Sequence, residues 1–136
     1  MIQTVKRTVK RKVDGAFVAL LFHKQQERGM RLIEFETRCV QAGEIHEIVT
    51  TTHHEAEKGD RIDRVGFLGF AEMKCGGVIG RGDAVMIQNQ VIGHVLGFDD
   101  CHFPNHYNIL ISTQETMMAD DLELEVEMLI SFGAGN

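Results

Sequence analysis

The sequence predicts a mainly β protein: a single small β-barrel domain spanning residues 1–136, with little helix. Three observations carry that prediction. About seven short segments either alternate apolar with polar residues or are rich in β-branched side chains, as strands packed on a core do. Turn residues separate those segments at short intervals. Glycines stand inside the strand patterns at Gly66, Gly69, Gly93 and Gly97, where a missing side chain permits the bulges and bends of a tightly curved barrel.

The segments are justified in chain order. Thr4–Val13 alternates, with Thr4, Lys6, Thr8, Lys10 and Lys12 on one face and Val5, Val9 and Val13 on the other; Arg7 and Arg11 fall on the valine face. The valines also recur every four residues, which a helix satisfies equally well. After the turn signal Asp14-Gly15, the apolar run Ala16–Phe22 reads as a strand or a short helix, and Lys24–Gly29 as a polar connection. Arg31–Val40 sets Ile33, Phe35, Thr37 and Cys39 against Glu34, Glu36 and Arg38. Ile45–Thr52 is β-branched, and His53–Asp60 is a polar link. Arg61–Phe70 is a strand with large apolar residues on both faces of its second half. Ala71–Gly77 then connects, and the glycines through Gly82 are barrel turns. Ala84–Ile87 and Val91–Phe98 form a hairpin around Gln88-Asn89-Gln90. Asn105–Ser112 and Leu122–Phe132 complete the set. In the last, Leu122, Leu124, Val126 and Met128 alternate with Glu123, Glu125 and Glu127.

Composition narrows the function classes. A hydrophobic content of 43% with 25% charged residues belongs to a folded globular chain. No apolar run approaches the ~20 residues that cross a bilayer, and the N-terminus lacks the pattern of a secretory signal. Three cysteines, Cys39, Cys75 and Cys101, have no paired spacing and point to a reducing cytoplasm. A net charge of −6 argues against nucleic acid and leaves a small molecule or a protein as the expected partner. An edge strand buried against a copy would give a homo-oligomer. Lys6, Arg7, Lys10, Arg11 and Lys12 crowd the start, and acids run from Glu115 to Glu127. Pairing the two as neighbouring strands explains both with less than a basic arm does.

The densest chemistry lies in Val91–Ile111, where a polar turn holds Asp99, Asp100, Cys101, His102, Pro104, Asn105 and His106. Asp99, Asp100, His102, Asn105 and His106 are ligand-binding candidates, joined by Arg7 and Arg11 if either turns inward to clamp an anion. His102 and His106 are the metal candidates, for zinc or a similar divalent ion. Pro104 between them opposes a helix, and an extended chain would part them by ~13 Å, so the turn must fold back. A third ligand would come from Asp99, Asp100, His53 or His54. The plainer account has the turn carboxylates bonding backbone amides while the rings sit at the surface. His94 shares a predicted strand face with Ile92, Leu96 and Phe98, and becomes an acid–base candidate if it faces a cavity. His53-His54-Glu55 lacks the spacing of a zinc-protease helix, and Gly76–Asp83 lacks the ending of a phosphate loop.

A set of landmarks runs through the second half. Gly59-Asp60-Arg61 leads into a strand ending near Val65-Gly66, followed by Ala71-Glu72. Gly93-His94-Val95 opens a strand ending at Phe98-Asp99, Phe103-Pro104 makes a turn, and Asp120-Asp121 precedes the last strand. On these, residues 58–132 resemble the glucitol/sorbitol-specific enzyme IIA component of the bacterial phosphotransferase system. The resemblance implies a bacterial barrel and a phosphocarrier whose histidine lies in the first half. Where that family has His-x-His-Gly, residues 35–46 here offer the single His46. Three functional readings result: a binding module with its ligand at the 99–106 turn, a phosphocarrier, or a metal-dependent enzyme using His102 and His106.

Overall fold

The computed structural model describes residues 9–54, 59–103 and 105–134. Its strands are β1 (Val13–Gln25), β2 (Met30–Arg31), β3 (Thr37–Val40), β4 (Ile45–Thr51), β5 (Arg61–Ile62), β6 (Val65–Met73), β7 (Gly77–Gly80), β8 (Ala84–Ile87), β9 (Gln90–Asp99), β10 (Asn108–Ser112) and β11 (Leu129–Gly133). Seven of them close a barrel in the order β1-β11-β8-β9-β10-β4-β6, while β2 with β5 and β3 with β7 form two-stranded ribbons. Strand direction must return to itself around a closed ring, so the antiparallel contacts are even in number. A ring of seven therefore needs a parallel contact, and β4 with β10 supplies it.

The strands carry two apolar faces. Ile48, Ile109 and Ile111 point into the barrel with Phe17, Phe98 and Phe132. Val49 and Leu110, next along the same strands, point outward into a second cluster with Met30 and Ile62 of the β2–β5 ribbon. β6 serves both, with Leu68 inside and Phe67 outside, which explains the apolar residues on both of its faces. Bulges bend the walls. At Gly69, which shifts the register of β6 against β1 and β4, φ is +148° and an added Cβ would strike the Ala19 carbonyl oxygen. The β8–β9 hairpin turns at Gln88 and Asn89, whose φ values of 50° and 69° are those of the tight turn matching strand twist.

Several elements differ from the sequence expectation. Ala16–Phe22 is strand, part of the long β1. The alternation in Leu122–Ile130 is not a strand until Leu129. Ala119–Leu122 is a short 3-10 turn whose Asp121 carboxylate accepts the Met118 N–H at 2.9 Å, and Glu123 and Glu127 then take φ values of 52° and 80°. The turns still bury Leu124 without a ladder. The basic and acidic segments do not pair as strands: residues 9–12 precede β1, residues 122–128 precede β11, and the contact between the ends runs from Val13↔Phe132 to Ala16↔Leu129. The acids meet bases elsewhere: Asp121 bonds Lys24 at 3.0 Å, and Lys10 bonds the buried Asp83 at 2.6 Å. Residues 32–36 interrupt the expected Arg31–Val40 strand, Ala71–Met73 continue β6, and the glycine-rich Gly77–Gly80 is a strand rather than a turn. Thr4–Thr8, with Lys6 and Arg7, lie outside the described residues, as does Pro104. Among the described residues no helix is long and apolar enough to cross a membrane.

Candidate metal centre

The parallel contact builds a row across four strands. Asp99 of β9 faces Asn108 of β10, Asn108 faces Glu47 of β4, and Glu47 faces Phe70 of β6. Opposed residues in a sheet project from one face. Here it is the outer face, because Glu47 and Asn108 stand two residues from Val49 and Leu110. A glutamate is thereby buried to 8% exposure at the rim of the outer apolar cluster.

Asp99, 3% exposed, is consumed by structure. Its carboxylate accepts the Arg31 backbone N–H at 2.8 Å, the Cys101 N–H at 3.0 Å and the Asn108 side-chain amide at 3.0 Å. Those bonds fold the turn back over β10, as convergence of the histidines requires. His106 then lies over the row, its Nε2 3.8 Å from Glu47 Oε1, its ring edge-on to Phe70 with centroids 5.1 Å apart. The His102 ring centroid is 5.0 Å from that of His106. One ligand atom from each of Glu47, His102 and His106 lies within 4.8 Å of the other two, so the cluster has the donors to hold a metal ion.

Two further observations mark the cluster. Among the described residues three buried side-chain polar atoms lack a hydrogen-bond partner of good geometry, and two of them, His106 Nε2 and Asn108 Oδ1, are here. The two side chains are close enough for Asn108 to favour the charged form of His106, but neither atom is fully satisfied. The Asn105 amide lies 3.0 Å from His106 Nδ1. It is the amide nitrogen that faces the ring and donates to Nδ1, which puts the proton of the neutral imidazole on Nε2. Binding an ion there requires that proton to leave Nε2 and the amide to turn its oxygen to Nδ1–H. Burial, and next the neighbouring His102, push the His106 pKa below its usual 6.5, partly opposed by the contact with Asn108; the net shift favours a neutral ring. Burial pushes the Glu47 carboxyl above 4.5, partly opposed by the charge of Arg28 and reinforced by Asp99. Arg28, in the link after β1, sits at the edge of the cluster, its Nη2 3.3 Å from His102 Nε2 and 3.5 Å from Cys101 Sγ.

The other sequence candidates scatter. Asp100 is exposed. Cys101 is exposed too, and burial of its sulfur and its contact with Asp99 push the thiol pKa up, against a thiolate nucleophile. His46 has both nitrogens engaged, Nε2 with Glu44 at 2.8 Å and Nδ1 accepting the Tyr107 N–H at 3.0 Å; it pins the turn to β4. His94, Leu96 and Phe98 do not share one core face: Phe98 points into the barrel, Leu96 into the outer cluster, and His94 is exposed. A bulge between Val95 and Gly97 breaks the alternation, and His94, next to the inward Val95, lines a wide groove of 780 Å³ with His54, Arg81 and Met117. That groove is five strand positions from the Asp99 row, ~17 Å by strand rise. Arg11 is exposed, its stem against Gly77, and Arg7 lies outside the described residues.

Residues 7–133 match a family of unknown function, DUF6917. The chain belongs to this family. No curated protein and no solved structure matches it. Sequence reasoning found both histidines and missed Glu47 and Arg28. The signal for Glu47 was present, a charge in the middle of the β-branched run Ile45–Thr51. Arg28, within a polar connection, carried none.

Proposed function

We propose that the protein is a metal-dependent binding module that holds a divalent transition ion, zinc first, through Glu47, His102 and His106. What supports the reading is the convergence of one carboxylate and two imidazoles within 4.8 Å, with the buried His106 Nε2 left without a partner. A carboxylate with two neutral imidazoles suits zinc and its neighbours, and three protein donors leave at least one coordination position for an outside ligand. The ligand of the module is then expected on the ion, over the 99–106 turn. The phosphocarrier reading draws little from His46, whose ring nitrogens are both occupied.

Elemental analysis of the untagged protein after zinc loading and desalting tests this. One equivalent per chain is expected in the wild type. Glu47→Gln and His106→Gln should lose it, while far-ultraviolet circular dichroism stays unchanged. Wild-type protein that retains no zinc would reject the reading.

A further inference from the structure

Arg28 is out of keeping with a plain cation site, because it brings a fixed positive charge beside the ion's own ligand, His102, at 3.3 Å. Without an ion, that charge is answered by Glu47 and by the buried Asp99 behind the turn. A divalent ion takes Glu47 for itself and adds two positive charges. With both histidines neutral, the loaded site then counts Glu47 and Asp99 against the ion and Arg28, leaving one positive charge unanswered. Further along the same rim Arg38, stacked over Tyr107 at 3.8 Å, and Glu44, bonded to His46, cancel. A partly buried guanidinium next to an ion with an open position presents two cationic groups to one small space.

We propose that the metal-loaded site takes a small oxyanion, a carboxylate in the first instance, with one oxygen on the ion and the other on the Arg28 guanidinium. This rests on the metal reading above and deepens it by naming the chemistry of the outside ligand. Two oxygens on one carbon suit the task, since the planar fork of Arg28 donates to one while the ion polarises the other. A monatomic anion reaches the ion but cannot span to the fork. Ligands of the module are therefore organic acids or groups that present a free carboxylate.

The test uses the cobalt-substituted protein, whose visible bands report the ion's coordination. Acetate is titrated into wild type, Arg28→Gln and Arg28→Lys, with chloride as the comparison anion and bound cobalt counted in each. Acetate should shift the wild-type bands saturably. In Arg28→Gln its half-saturation should rise by about tenfold or more at unchanged cobalt stoichiometry, with partial recovery in Arg28→Lys, as expected for loss of a charge-assisted contact. Chloride should differ little among the three. Equal acetate half-saturation in wild type and Arg28→Gln overturns the proposal, as does cobalt-loaded wild type whose bands ignore acetate; both leave the metal site standing. Wild type that binds no cobalt removes the metal site and this proposal with it.

Discussion

Glu47 and His106 are shifted in opposite directions by the same cause. Burial disfavours charge, so it raises a carboxyl pKa and lowers an imidazole pKa. The raised Glu47 pKa means that the metal-free fold holds its proton more tightly than the unfolded chain does. Stability from this group is full below 4.5 and is lost as pH rises through the raised folded value. The lowered His106 pKa works the other way: its contribution is full above 6.5 and is lost as pH falls from there toward the folded value. Between the two lies a carboxylate whose burial disfavours its charged form at neutral pH, a cost that the proposed ion would offset. In urea titrations of metal-free protein, Glu47→Gln should therefore be more stable than wild type at neutral pH, with the gap closing as pH approaches 4.5. Saturating zinc should reverse the order. A Glu47→Gln variant that is less stable than wild type without metal at neutral pH would contradict this account.

The bulged strands can be tested in the same way. Gly69 combines a φ of +148° with an Ala19 carbonyl in the space a Cβ would take, so neither strain nor crowding can relax without unmaking the bend shared by β1, β4 and β6. Gly69→Ala should cost about 2 kcal/mol or more. Gly43→Ala, at a φ of +92° but with open space around it, should cost about 1 kcal/mol. Denaturant midpoints of the two compare them directly, and equal losses would refute the steric account. Local elements were also what the sequence disclosed best. The β8–β9 hairpin was legible because its turn residues and alternation are neighbours in the chain. Leu122–Met128 misled because turns at Glu123 and Glu127 bury Leu124 as well as a strand would, while Val126 on the same pattern stays exposed. His102 and His106 were readable as a pair for the same local reason. Glu47 reaches them only through the parallel β4–β10 contact, and no periodicity announces which strand will lie beside which.

At the scale of the whole molecule the site depends on the ring being shut. Asn108 faces Asp99 through the local β9–β10 pairing, but it faces Glu47 only when segments distant in sequence have paired, the slow kind of contact in folding. An ion that needs all three donors binds the closed barrel and not the unfolded chain. At a free concentration one hundred times its dissociation constant it should add about 2.7 kcal/mol of stability. Calorimetric unfolding should show that gain for zinc in wild type and none in His106→Gln; equal gains would place the ion elsewhere. If the proposed ion binds there, the parallel contact also acts as an assembly checkpoint. A chain released before β4 and β10 meet has its histidines but not its glutamate, so in refolding, tight capture of the ion should trail secondary-structure formation and coincide with the last cooperative step.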